Sequence, residues 1–269
     1  MTVHVTTQAS VESQTGLLTL PRILYNNRAR SASLSASSAA SGFPAAAAQK
    51  DNTFEFWKPT AVPATWRVDL GSALLCNAGG IAAHDMGTVG CSVQWQYSTD
   101  DAAWSNASDV HAPANNSEHL ALFPQQTARY WRVNITNAIP TIGVIYLGPI
   151  LAVANGIGGQ FSPPNLARVT EMNPNDADGG QWLGASVVRS GVRSAAQWQN
   201  LTSAWYRANF DAFVVEARSR GRPFFFAWMP SAFVSDVNYC RLDADVAPVF
   251  KPGDAVDVSI RLSGVDRVT

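Results

Sequence analysis

The pair His84-Asp85 has the residue types of half a catalytic dyad, in which an imidazole takes a proton and a carboxylate fixes its tautomer. Such a dyad works only if a nucleophile and oxyanion donors converge on it, and the sequence holds neither a G-x-S-x-G element nor a Cys–His arrangement. His84 and Asp85 are therefore read as a strand-end histidine followed by a turn aspartate. His111, Glu118 and His119 carry metal-ligating atoms, but the stretch HAPANNSEHL lacks the spacing that aims two of them at one ion, so it reads as a solvated loop. Asp100 and Asp101 place hard oxygens on one turn, which suits Ca2+, although calcium takes six or more oxygens and the sequence identifies only two. Glycoside hydrolysis would need two facing carboxylates, and no such pair stands out. The expectation is a non-enzyme with no cofactor, unless Ca2+ occupies the sandwich loops.

Binding chemistry has better candidates. A tryptophan stacks on apolar sugar faces and donates one hydrogen bond, and the chain holds nine. Trp57, beside Lys58 and Pro59, is the least committed to a core, so Trp57, Lys58, Asp100 and Asp101 are the ligand-contact candidates. Arg207, Arg218, Arg220 and Arg222 form a basic run on and after a helix-like segment. A solvated helix face with cations at its C-terminus explains them, and the functional alternative is pairing with Asp243 or Asp245 of a neighbouring subunit.

These residues must be positioned by β structure. Thr65 to Leu70, Ser92 to Tyr97, Arg129 to Ile135 and Ile142 to Leu147 are short aromatic and β-branched runs divided by turn residues. In the second run Val93, Trp95 and Tyr97 share one face and Gln94 and Gln96 the other, the pattern of a half-buried strand. Trp131, Val133 and Ile135 likewise alternate with Arg132 and Asn134. The Gly- and Pro-dense stretch NGIGGQFSPP marks a boundary between residues 1–155 and 156–269. After it, Leu183 to Val192 has strand character, and Ser194 can cap a helix whose apolar positions are Trp198, Leu201, Trp205, Ala208, Ala212 and Val215, ended by Gly221 and Pro223. Strands are expected at Phe224 to Met229, Ser235 to Leu242 and Ala255 to Leu262. The fold class is thus mainly β: an antiparallel β-sandwich, then a smaller α+β domain with one long helix packed on a sheet.

Bulk properties narrow the function classes. Residues 1–155 carry 8 Lys/Arg against 9 Asp/Glu and residues 156–269 carry 11 against 11, so neither half is a basic nucleic-acid surface. No segment reaches the ~20 apolar residues of a membrane-spanning helix. Charged residues make up only 14% of the chain, which leaves a largely neutral polar surface of the kind packed assemblies use. Cys76, Cys91 and Cys240 have no zinc spacing and read as reduced, with a bridge between Cys76 and Cys91 as the lesser alternative.

The segments GFPAAA at 42–47, WRVDLG at 66–71, VQWQYSTDDAAW at 93–104 and ARYWRV at 128–133 come in the order of the discoidin, or coagulation-factor type C, family of galactose-binding-like jelly rolls, which residues 25–150 resemble. The resemblance implies that Trp66, Trp95, Trp104 and Trp131 are core residues. It also implies that the Ser/Ala tract at 31–48, which composition alone would make a linker, lies against the sandwich. FEFWKP at 54–59 and IAAHD at 81–85 further resemble versions of this domain in phage virion proteins. Residues 165–265, with GRPFFFAW entering a strand, look like the ring-forming domain of phage distal-tail and tail-tip proteins. That resemblance implies a homo-oligomeric ring, hexameric or alternatively trimeric. It would sit in the virion at a tail tip or baseplate after assembly in the host cytoplasm, with the tail tube, other tail-tip or baseplate proteins and host surface glycans as partners. The alternative is a carbohydrate-binding module not incorporated in a virion.

Overall fold

The computed structural model describes residues 3–264, and these are mainly β, with antiparallel pairing dominant. In chain order the elements are β1 (Val3–Val5), α1 (Gln8–Thr15), β2 (Arg22–Leu24), β3 (Ser33–Ala36), β4 (Ala64–His84), β5 (Ser92–Ser98), β6 (Ser105–Asn106), β7 (His119–Thr136), β8 (Ile142–Gly148) and β9 (Leu151–Ala152). There follow β10 (Arg168–Asp176), β11 (Trp182–Thr202), α2 (residues 203–219), β12 (Phe224–Ala227), β13 (Val237–Leu242), β14 (Val249–Lys251) and β15 (Ala255–Gly264).

Strands β4 and β7 pair from Ala64↔Ile135 to Ile81↔His119, with a register shift between Asp69 and Leu74. Before the shift they join β3, β5 and β6 in an outer sheet, and after it they join β8 and, in parallel, β1 in an inner one. Trp66, Trp95 and Trp131 from the outer part meet Ile81, Phe123 and Ile145 from the inner part in one core, as the alternating runs require. The Ser/Ala tract belongs to this sandwich. Its β3 pairs with β4, Ala47 and Ala48 are buried, and the carbonyls of Ser38 and Ala45 accept the indole N–H groups of Trp57 and Trp66.

The inner sheet is buried on both faces. Ile81 and Phe123 face the sandwich core, while Ala78, Ala82, Leu120, Leu122, Val144 and Tyr146 pack with Phe225, Ala227 and Val237 of the second half. This is why Ile142–Gly148 shows no polar alternation and every one of its residues is buried. Glycines let the layers approach. A Cβ on Gly79 would stand 2.2 Å from the Trp95 ring on one side, and one on Gly80 would stand 2.6 Å from Phe225 on the other.

The second sheet runs β10-β11-β15-β13-β12-β2-β9, with β14 also on β15. Its strands β2 and β9 come from the first 155 residues, so the chain crosses between layers at both ends of the sandwich. Helix α2 covers its far face through Tyr206, Phe210, Phe213 and Ala217, at helical spacing, against Trp198, Phe224, Phe226 and Val258. The order of layers is therefore helix, second sheet, inner sheet, outer sheet.

The long helix expected from Ser194 is shorter than its pattern suggested. Residues 182–202 form β11, in which Val192, Ser194, Ala196 and Trp198 are buried and alternate with exposed neighbours. The three- and four-residue spacing of Trp198, Leu201 and Trp205 arises instead from a bulge: Asn200 has φ 57°, which lets Leu201 turn back into the core before the helix starts. Thr202 caps α2, its Oγ1 accepting from the Trp205 N–H at 3.2 Å. The buried stripe is Tyr206, Phe210, Phe213 and Ala217, while Val215, assigned to it from the sequence, is 40% exposed.

Candidate functional site

Strands β10 and β11 extend beyond the body of the second sheet as a two-stranded arm. Every residue of Arg168–Asp176 is exposed, and the register runs from Arg168↔Val192 to Asp176↔Trp182. Among the described residues β15 pairs with residues 192–202 of β11, and β10 is the outermost strand of the sheet. The turn residues NDADGG close the hairpin, with the Gly180 N–H on the Ala177 carbonyl and the Ala177 N–H on the Gln181 carbonyl, both at 2.8 Å. Met172, Trp182, Leu183, Val187 and Val188 are all more than half exposed on it. A two-stranded ribbon with an outermost edge strand and solvent-facing apolar side chains is marginal in water and is a template for another chain. A partial signal for it is a turn-rich stretch before WLGASVV, with no polar face to alternate with the apolar one.

A second surface is the outer face of the sandwich. Arg67 lies directly across from Arg132, and Gln96 lies across from both Arg132 and Asn106. The Arg132 Nε donates to Gln96 Oε1 at 2.7 Å, and Gln96 Nε2 donates to Asn106 Oδ1 at 2.8 Å. The guanidinium of Arg132 lies 4.1 Å from the centroid of the half-exposed Trp104 ring, and burial there lowers its pKa. Arg129 grips Asp69 with two hydrogen bonds, which hold the Asp69 carboxyl at about 2. Together these groups make a fixed polar and aromatic face.

The predicted contact residues fall in different places. Trp57 is fully buried, with its N–H on the Ser38 carbonyl at 3.0 Å, so it is a core residue and offers no ring to a ligand. Trp104, expected in the core, instead reaches the surface of the sandwich. Lys58 is exposed at the edge of the β3 layer. Asp100 Oδ1 accepts from Ser98 Oγ and from the N–H groups of Ala102 and Ala103, all at 2.9 Å, and Asp101 pairs with Arg67 at 2.8 Å. Their oxygens thus brace a turn and a salt bridge, and among the described residues no three His, Cys, Asp or Glu side chains are grouped to hold a metal.

His84 is buried, with Nε2 2.9 Å from the Ser117 carbonyl and Nδ1 accepting from the Met86 N–H, while Asp85 accepts from the Thr141 N–H at 2.6 Å. These contacts hold a turn. The solvated-loop reading of the second histidine group is corrected: Glu118 and His119 are buried, and His111 stacks between His4 and His119 with centroid separations of 4.6 and 4.8 Å. Cys76, Cys91 and Cys240 are free buried thiols, and burial pushes Cys76 and Cys91 up to about 12, so neither is a nucleophile near neutral pH.

The basic run finds partners within its own chain. Arg218 pairs with Asp245 at 2.5 Å, Arg220 and Arg222 both pair with Glu216, and Arg207 lies over the Phe250 ring. Asp243 is shared by Arg193 at 3.6 Å and Arg241 at 3.8 Å.

No protein-family model matches this chain, and no curated protein does. Among solved structures it is similar to chitosan-binding module 1 of a chitosanase/glucanase from Paenibacillus sp. IK-5, at 21% identity over 45% of this chain and 98% of that one, with a TM-score of 0.39. It is also similar to the family 32 CBM of C. perfringens NanJ in complex with galactose, at 16% identity over 48% and 98% of the two chains, TM-score 0.39. A pectin-binding carbohydrate-binding module matches at 15% identity over 48% and 94%, again with a TM-score of 0.39.

Proposed function

We propose that this protein is a structural subunit that self-associates through its second half, in a ring at a phage tail tip or baseplate, and carries the sandwich outward for contact with partners or the host surface. The observation that supports this reading is the β10–β11 arm. Its outermost strand β10 and its exposed Met172, Trp182, Leu183, Val187 and Val188 have a cost in water that neighbouring copies would remove. The resemblance of residues 165–265 to ring-forming tail proteins gives the assembly its setting. Sedimentation analysis of the full chain tests the idea. A closed oligomer is expected, and Trp182→Ser with Val187→Ser should shift it toward monomer without loss of secondary structure; a chain that is monomeric at all concentrations contradicts it.

A second reading, glycan binding by the sandwich, is favoured by Trp104, which sits half-exposed over Arg132 beside Gln96 and Asn106. An array of host-surface glycans should then show binding that Trp104→Ala abolishes, and an array blank for the unmutated protein counts against it.

A further inference from the structure

On the side of the second sheet away from α2, beyond the area that the sandwich covers, lies a hollow of about 570 Å³ at the base of the arm. Gly191 and Gly264 line it where β11 and β15 pair. Arg189, Arg193 and Arg241 stand around it, between 69% and 80% exposed. Arg189 pairs with Glu171 at 2.6 Å, whereas Arg193 and Arg241 share the single carboxylate of Asp243 at 3.6 and 3.8 Å, so among the described residues these two cations face one anion. The remaining wall is the loop 51–54, which is held rigidly. Asp51 Oδ1 accepts from Tyr146 Oη at 2.7 Å and Arg30 at 2.9 Å, its carbonyl accepts from Tyr239 Oη at 3.0 Å, and Asn52 Oδ1 accepts from the Glu55 N–H at 3.0 Å. On this fixed loop Phe54 is 76% exposed.

The arm tip has the complementary chemistry. Between residues 172 and 188 the only charged side chains are Asp176 and Asp178, and Trp182 beside them is 63% exposed. We propose that the acidic, tryptophan-bearing tip of one copy's arm docks in the arginine-rimmed hollow of the next copy, with Trp182 against Phe54 and Asp176 and Asp178 against Arg193 and Arg241. The occupant is a second copy because a chain cannot fill its own hollow this way. Glu171 and Arg189 line the hollow, and Asp176 lies five residues further along the extended strand, about 17 Å away at the rise of a strand. The contact joins two different patches and is therefore heterologous, the type that closes a ring when its rotation permits.

This docking rests on the assembly reading and specifies its contact. Charge exchange tests it separately. Asp176→Arg with Asp178→Arg, and Arg193→Glu with Arg241→Glu, should each weaken association about tenfold or more, since each sets like charges face to face. The chain carrying all four substitutions should regain it. Circular dichroism confirms that each variant is folded. Reversed variants that assemble like the unmutated chain, or folded four-fold variants that stay dissociated, overturn the docking while leaving assembly intact. An unmutated chain that never associates overturns both.

Discussion

Arg22 is fully buried and yet needs no carboxylate. Its two terminal nitrogens donate to the carbonyls of Thr15, Gly16, Leu17, Leu20 and Pro21, between 2.7 and 3.2 Å, which satisfies the open C-terminal end of α1 and the turn after it. Burial lowers its pKa to about 10, so it stays charged at neutral pH. Arg22→Ala strands those carbonyls and should cost about 3 kcal/mol, read as a lower urea midpoint with an unchanged slope. The stacked histidines give a pH prediction. Burial, only partly opposed by Asp109, lowers the pKa of His4. Below pH 6.5 the unfolded chain therefore takes up a proton that the folded one resists, so stability is intact above that pH and falls as pH drops toward the folded value. The carboxyl of Asp69, at about 2, stays ionised across this window. The melting temperature should fall between pH 7.5 and 5.5, and His4→Gln should remove part of the fall; a His4→Gln variant with the full original dependence would refute the assignment. Nothing in the sequence marked Arg22 or the histidine stack, because both depend on which segments meet in three dimensions. The exchange between Trp57 and Trp104 has the same origin: each is flanked by turn residues, and only the overlying Ser/Ala tract decides which is covered.

At the scale of elements, period-two patterns were read correctly where one face of a strand is wet, as in Val93, Trp95 and Tyr97 or Trp131, Val133 and Ile135. The strand Ile142–Gly148 is legible as an apolar run, and its lack of alternation reflects cover on both faces. The start of α2 was misplaced because a bulge in a strand can mimic helical spacing over a few residues. The exposed first strand of the arm was missed altogether, since RVTEMNPND has no buried face to produce a pattern. Packing between elements makes a sharp prediction at the inner sheet. Gly80→Ala should destabilise by about 1–3 kcal/mol, because the added methyl drives into the buried Phe225 ring and separates the two halves. Gly156→Ala, with open space around it, should be near neutral in the same denaturation series.

At the scale of the molecule, the halves are one stacked body joined by a core built from both, with Val144 and Tyr146 on one side and Phe225 and Val237 on the other. A sandwich fixed this firmly would hold a defined position relative to any assembly made by the second half. The exposed apolar side chains of the arm and its edge strand β10 are what neighbouring copies would cover. Class averages of the purified full chain by electron microscopy test this most directly. Closed rings with the sandwich on the outside are expected, lost when the arm residues 172–188 are replaced by a short turn; solitary particles, identical with and without the arm, would refute assembly through the arm.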